Sequence, residues 1–352
     1  MTSTEIIKLD PQNPEKRKIL YAAQILRRGG LVIFPTETVY GIGANLLKEA
    51  TIRRLYQIKQ RSPDKPFSIH ISRKEEAENY ASDIPAVAYR LMDKFWPGPL
   101  TLILKSNSGS VGLRFPDNEI AQRLIKSAEV PIVAPSANIS DAPPPINFED
   151  AIRGFKGLVE LGIDGGRTKF GRESTIVDVR LMPAKIVREG AIKREDIEDI
   201  LNKKVILFVC TGNSCRSVMA KFYLEKRLKE LGRQDIEVLS RGIAAYEGLG
   251  ATPEVKQILE EQGIDSSSHI SQRLSPAAIK KSDLVLVMEK PQEEEVRRLV
   301  PEAENKVFLL KEFVKLEGID ANIYDPIGKP LEVHRETFMV IKEAIERMLK
   351  II

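Results

Sequence analysis

The chain is poor in cysteine. Only Cys210 and Cys215 occur among its 352 residues. A disulfide framework of the kind that staples small secreted domains is therefore excluded, and a reducing cytoplasm fits. Histidine is almost as scarce. His70, His269 and His334 stand far apart, and no cysteine or histidine pair has metal-binding spacing. No metal held by protein side chains is expected. No apolar run approaches the ~20 residues of a membrane span. The opening M-T-S-T-E-I-I-K-L-D lacks the basic and apolar regions of a secretory signal. These absences together predict a cytoplasmic protein with no membrane partner. The net charge of +4 is too small to demand nucleic acid, though it permits it.

What remains is the composition of an ordinary globular protein, 42% hydrophobic and 30% charged, and 352 residues favour two domains over one core. The most informative stretch is V-I-L-F-V-C-T-G-N-S-C-R-S, residues 205–217. An apolar run ends in Cys210. A loop with Gly212 follows, then Arg216, Ser217 and a helical pattern. Such a strand–loop–helix can hold a phosphate and also attack it. Loop amides form a nest, the helix N-terminus adds partial positive charge, and Arg216 can grip two phosphate oxygens. The same field favours the thiolate of Cys210, which makes it a nucleophile.

The rest of the chain alternates between strand and helix patterns, which points to the α/β class. In the first half, Ile19, Ala22, Ala23 and Leu26 keep helical spacing until Gly29-Gly30. Strands are expected at 31–34, 100–104, 132–134 and 175–179, and helices at 49–59, 75–81 and 120–127. A charged helix, K-R-E-D-I-E-D-I-L, precedes a boundary near Asn202. This divides the chain into residues 1–202 and 203–352. Beyond it, strands are expected at 205–209, 236–240, 284–288 and 306–309. Helices are expected at 217–231, 253–262, 276–280 and 331–349. That order reads as a small doubly wound parallel sheet, with the Cys210 loop at a strand C-terminus. D-A-P-P-P-I-N, residues 141–147, reads as a flexible surface loop.

Polar clusters follow the strands of the first half: P-T-E-T-V-Y-G from Pro35, K-Q-R-S-P-D-K-P-F from Lys59, P-S-A-N-I-S from Pro135, G-R-E-S-T-I-V-D from Gly171 and V-R-E-G from Val187. With F-W-P-G-P-L-T from Phe95 and V-G-L-R-F-P from Val111, they resemble the YrdC-like threonylcarbamoyl-adenylate synthase family over nearly all of residues 6–202. The resemblance implies a twisted mixed-sheet domain and a reaction. L-Threonine and bicarbonate or CO2 form a carbamate that attacks the α-phosphate of ATP and expels pyrophosphate. The product serves a tRNA-modifying transferase, with tRNA itself left open as a partner. Carried over residue by residue, Lys59, Arg61, Ser136, Asn138, Ser174 and Arg188 would bind ATP. Thr36, Tyr40 and His70 would face threonine, and Mg²⁺ would bridge the phosphates. The alternative is a module of the same fold that binds nucleotide or RNA without catalysis. Longer members of that family carry a different second domain and a linker that closes over the site, whereas this chain carries something else.

The second half resembles the low-molecular-weight protein phosphatase family. The matching pieces are C-T-G-N-S-C-R-S, S-R-G at 240–242, S-D-L-V-L-V-M-E and Y-D-P-I-G at 324–328. The resemblance implies that Cys210 is the nucleophile and Arg216 the phosphate clamp. Asp325 would be the acid and then the base, Ser217 would support the thiolate, and Asn213 would brace the loop. The phosphoprotein substrate is expected to carry phosphoarginine rather than phosphotyrosine. Ile327 and Gly328 follow Asp325-Pro326 where tyrosine-specific members place aromatics. Ser214 offers a small hydroxyl where they place a bulky aliphatic side chain. Arsenate reduction would need further cysteines, and a domain that merely binds phosphate is the bland alternative. A Cys210–Cys215 disulfide could protect the nucleophile from overoxidation.

Overall fold

The helical spacing of Ile19, Ala22, Ala23 and Leu26 buries all four on one face of the helix Lys16–Arg28. This is seen in the computed structural model, which describes residues 3–316 and 320–352. The helix ends at Gly29, whose φ of +93° suits only a residue without a Cβ, and whose N–H closes on Leu26 at 3.0 Å. The chain forms two compact units. One comprises residues up to Ile84 and Ala88–Leu201, the other Pro85–Val87 and Asn202–Ile352. No helix among the described residues is long and apolar enough to cross a membrane.

The first unit is built on a ten-stranded mixed sheet. In spatial order its strands are Glu5–Lys8, Leu161–Asp164, Val32–Phe34, Gly41–Asn45, Ile132–Val133, Ile69–His70, Gly109–Arg114, Leu100–Ser106, Thr175–Asp178 and Lys185–Arg188. Val32–Phe34, Leu100–Ser106, Ile132–Val133 and Thr175–Asp178 fall where the sequence places strands, whereas Glu5–Lys8, Ile69–His70, Leu161–Asp164 and Lys185–Arg188 were not expected. Gly41–Asn45 and Gly109–Arg114 do not look like strands in isolation. Gly41–Asn45 pairs antiparallel with Val32–Phe34, and a Cβ on Gly43 would lie 2.8 Å from the Phe34 ring. The helices Lys16–Arg28 and Glu119–Ala128 cover Val32, Phe34, Ile132 and Leu161. The single helix expected at 75–81 is instead a 3₁₀ turn, Lys74–Glu76, followed by Ala77–Tyr80. The expected surface loop is pinned at its far end, where the Pro145 carbonyl accepts the Tyr40 N–H at 3.0 Å.

The second unit is a four-stranded parallel sheet in the order Ile236–Gly242, Lys204–Cys210, Leu284–Val287, Val307–Leu309. Ile206, Phe208 and Cys210 face a core shared with the helices Arg216–Glu230, Pro253–Glu261 and Leu331–Met348. Leu207 and Val209 face the opposite core, with the helices Pro276–Lys281 and Lys290–Leu299. Both faces are covered, which is why this strand reads as an unbroken apolar run. The first strand of this unit, Lys204–Cys210, lies between its second and third. Its carboxyl end, with Cys210, is thus the switch point where ligands bind in such folds.

Candidate functional site

The phosphate-loop candidate begins at Cys210 and ends on the first turn of the helix Arg216–Glu230. Cys210 Sγ lies 2.9 Å from Ser217 Oγ and accepts the Asn213 N–H at 3.3 Å. Asn213 has φ +53°, a turn that asparagine tolerates. Its side chain donates to Ser217 Oγ at 3.0 Å and accepts the Gln272 N–H at 2.9 Å. Its carbonyl accepts from Ser271 Oγ and His269 Nε2, each at 2.7 Å. Burial lowers the His269 imidazole from its ordinary range. A Cβ on Gly242 would stand 2.6 Å from Thr211 O and 2.7 Å from Asn213 N, so the S-R-G strand end is glycine because the loop backbone lies against it.

Arg216 is 1% exposed. Its NH1 donates to the Ile323 carbonyl and pairs with Glu289 Oε2, each at 2.8 Å. Its NH2 pairs with Asp325 Oδ2 and reaches Thr211 Oγ1 at 3.4 Å. A cavity of about 550 Å³ opens here, lined by Cys210, Ser214, Arg216 and Asp325. Tyr246, Leu249 and Ile327 line it while largely exposed, and so form its apolar mouth. Both cysteines are free thiols. Burial pushes the Cys215 thiol up, and Thr252 and Ser214 oppose that through contacts of 3.7 Å.

A second cavity, of about 120 Å³, lies in the first unit. Arg61, Arg114 and Arg188 line it, against one carboxylate, Glu173. Arg188 pairs with Glu173 at 2.7 Å and donates to the Ser174 carbonyl at 3.0 and 3.1 Å. Burial lowers its guanidinium from the usual range, opposed by Glu173. Arg61 donates to the Lys65 carbonyl at 2.8 Å and lies 5.2 Å over the Phe67 ring. Thr36, Ser136 and Ser174 also line the cavity. His70 is buried there with neither ring nitrogen partnered. Burial, then the charge of Arg114, brings its pKa down to about 3, so it is neutral. Tyr40 lines the cavity too, but its hydroxyl donates to the Gly166 carbonyl at 2.6 Å and accepts the Gly165 N–H at 3.2 Å.

Lys59 and Asn138, expected to bind ATP, hold the loop that carries Ser136. Neither lines the cavity. Lys59 Nζ donates to the Ser136 and Asn138 carbonyls, each at 2.6 Å, which leaves one N–H. Burial, then Arg61, lowers its pKa to about 8. The Asn138 amide donates to the Ile139 and Ala142 carbonyls at 3.0 and 2.6 Å. Both residues brace the P-S-A-N loop whose Ser136 faces the cavity.

Two family models match the chain. One, for Sua5, YciO and YrdC proteins and described as telomere recombination, matches residues 24–190. The other, low molecular weight phosphotyrosine protein phosphatase, matches residues 205–352. A shorter relative from Methanocaldococcus jannaschii is 36% identical over 198 residues, which is 53% of this chain and 94% of that protein. A protein-arginine-phosphatase of Geobacillus stearothermophilus is 41% identical over 143 residues, 41% of this chain and 92% of that protein. The chain belongs to the Sua5/YciO/YrdC family in its first half and to the low-molecular-weight phosphatase family in its second. The threonylcarbamoyl-AMP synthase of Pyrococcus abyssi is 43% identical over 199 residues, 54% of this chain and 58% of that protein. Its crystal structure with L-threonine superposes with a TM-score of 0.55 at 28% identity, over 87% of this chain and 99% of that one. The chain spans a little over half the length of the Pyrococcus abyssi and Bacillus subtilis synthases it matches, 58% and 57%.

Sequence reasoning gave no role to several residues of these two family sites. In the Sua5/YciO/YrdC unit, Arg114 sits within V-G-L-R-F-P, is 5% exposed, and pairs with Glu37 at 2.8 Å. Its place inside the matching motif V-G-L-R-F-P was the available signal. In the phosphatase unit, Glu289 follows the strand Leu284–Val287 at the same sheet edge as Cys210. Tyr246, from a different loop than Asp325-Pro326, places an exposed aromatic ring at the mouth of the cavity.

Proposed function

We propose that the chain is bifunctional: a threonylcarbamoyl-AMP synthase in its first half and a cysteine-dependent protein phosphatase in its second. The observation carrying the first reading is the convergence of three guanidinium groups on one cavity, with Arg188 paired to Glu173, Arg114 paired to Glu37 behind the wall, and Arg61 held only by backbone carbonyls. A phosphate chain can take up these guanidinium groups, and Arg61 supplies the unbalanced positive charge. Ser136, Ser174 and Arg188 line the nucleotide side, with Lys59 and Asn138 shaping the loop that carries Ser136. Thr36, Tyr40 and His70 line the threonine side, and the threonine-bound Pyrococcus abyssi structure supports such a site. The amine of threonine takes up CO2, releasing a proton. The carbamate oxygen then attacks the α-phosphorus as the bond to pyrophosphate breaks. Because Glu173 is committed to Arg188, Mg²⁺ would arrive on the phosphates of ATP and lower their charge. Threonylcarbamoyl-AMP would then pass to a tRNA-modifying transferase. The test is pyrophosphate release from ATP by the full chain. Release that does not depend on threonine and bicarbonate would end this reading.

The second reading rests on Cys210 with Ser217 at 2.9 Å and Arg216 beside Asp325 in one cavity. The Cys210 thiolate attacks phosphorus and the bond to the leaving nitrogen or oxygen breaks. Asp325 protonates that leaving group. It then takes a proton from water as the water attacks phosphocysteine, which frees phosphate and restores the thiolate. Ser214 lines the cavity, where its hydroxyl can meet a guanidinium, and the arginine-phosphatase relative supports phosphoarginine as the substrate. The exposed Tyr246 ring favours a second reading, phosphotyrosine, whose phenyl group it could flank. Phosphate release by the full chain from phosphoarginine and phosphotyrosine peptides, with Cys210→Ser as the blank, decides between them. Release from neither would leave a domain that binds phosphate without turnover.

A further inference from the structure

Gln292 lies outside the Cys210 loop, on the first turn of the helix Lys290–Leu299, and is 1% exposed. Its side chain makes four hydrogen bonds. Oε1 accepts the Met288 and Glu289 N–H groups at 2.8 and 3.1 Å. Nε2 donates to Glu289 Oε2 at 3.0 Å and to Thr211 Oγ1 at 3.2 Å. The two acceptors of that amide are also the partners of Arg216, at 2.8 Å from Glu289 and 3.4 Å from Thr211. The four side chains thus close a ring: Gln292, Glu289, Arg216, Thr211 and back to Gln292.

We propose that Gln292 is a positioning residue for the phosphate clamp, acting through Glu289 and Thr211 to fix the plane of the Arg216 guanidinium. This rests on the phosphatase reading of the Cys210 site. A guanidinium grips phosphate with two parallel bonds only when its plane is set. Glu289 and the Ile323 carbonyl both hold NH1, so the setting of the plane falls to the NH2 side, which Thr211 and Asp325 share. The second arm, through Thr211, ties the clamp to the loop that carries the nucleophile. Gln292 does not reach the phosphate itself, so its effect passes entirely through Arg216 and the loop.

The competing role is purely structural, because Gln292 also completes the capping box of its helix with Glu289. The two arms of the amide separate these roles. Gln292→Glu keeps the accepting oxygen, and glutamate is an equally good third residue of a capping box, but it removes the donor. Gln292→Met removes both arms without adding charge. The full chain is assayed with para-nitrophenyl phosphate for kcat and KM, and with inorganic phosphate for affinity by calorimetry, beside a thermal melt. Positioning predicts that both variants lose about tenfold or more in kcat/KM and in phosphate affinity at temperatures where each remains folded by the thermal melt. Loss in Gln292→Glu alone would be a charge effect and would overturn the proposal. Wild-type affinity in both, whatever the melting temperature, would overturn it too. If the wild-type chain binds phosphate but hydrolyses nothing, only the phosphatase reading falls, and the affinities still test the ring. If it binds no phosphate, both fall.

Discussion

The carboxylate of Asp325 is paired with the NH2 of Arg216, the nitrogen that also reaches Thr211 in the phosphate loop. The acid and the clamp of the proposed reaction therefore occupy each other. A phosphoryl group entering the cavity competes with Asp325 for this guanidinium, and the displaced carboxylate is then free to face the leaving group.

Removing that competitor without changing its shape should separate binding from turnover. Asp325→Asn is expected to bind inorganic phosphate several-fold more tightly than wild type, while kcat falls by about 10²- to 10⁴-fold. Inhibition constants and single-turnover rates check this. Phosphate binding that is unchanged or weaker in Asp325→Asn would sink the competition.

Gly242 is the point where the neighbouring strand touches the loop backbone. Gly242→Ala places a methyl group 2.6 Å from Thr211 O and 2.7 Å from Asn213 N. Backbone cannot swing aside as a side chain can, so the loop must move. Phosphatase kcat/KM should fall by about 100-fold, with pyrophosphate release in the other half unaffected. Equal activity in wild type and variant would show that the loop tolerates the shift.

Lys59 holds the P-S-A-N loop as an ammonium whose pKa is lowered to about 8. Lys59→Ala is expected to abolish threonine-dependent pyrophosphate release and to leave phosphatase activity intact. Because the charge is lost as pH rises through about 8, wild-type synthase rates should decline on that limb. Lys59→Arg stays charged and should carry the decline to higher pH. A pH–rate profile for Lys59→Arg that matches wild type would dismiss the role of this charge.

His70 is buried neutral, with its pKa brought down to about 3. Its contribution to stability is complete above the ordinary histidine value of about 6.5 and is lost as pH falls toward 3, where the unfolded chain holds the extra proton. His70→Gln has no such proton to take up. Its stability should therefore decline less than that of wild type between pH 7 and 4. The single tryptophan, Trp96, is buried in the first unit and reports its melting by fluorescence. Parallel losses in the two proteins would contradict the assignment. A rise in KM for threonine should accompany the substitution.

Much of both folds was legible in local patterns. The run Val205–Val209 and the phosphate loop after it are contiguous, and neighbouring residues impose their own strand, turn and helix. The helix Glu49–Lys59 occupies the residues its periodicity marks. Gly41–Asn45 and Gly109–Arg114 were not legible. Their glycines carry no apolar alternation, and their strand character comes from ladders with Val32–Phe34 and Leu100–Ser106. The helix Lys290–Leu299 hides for a related reason, since Gln292 and Val296 are its only buried residues.

The same division holds at the sites. The sequence by itself marked the proposed nucleophile, clamp and hydroxyl of the phosphate loop, because one turn of backbone brings Cys210, Arg216 and Ser217 together. It also marked Arg61, Ser136, Ser174 and Arg188 through their motifs. Only the tertiary structure decided that Lys59 braces a loop, that Arg114 and Glu173 belong to the cavity, and that Glu289, Gln292 and Tyr246 surround the phosphate site. Those residues come from separate strands and loops. Whether such side chains meet depends on sheet order and helix packing, long-range relations that no local spacing encodes.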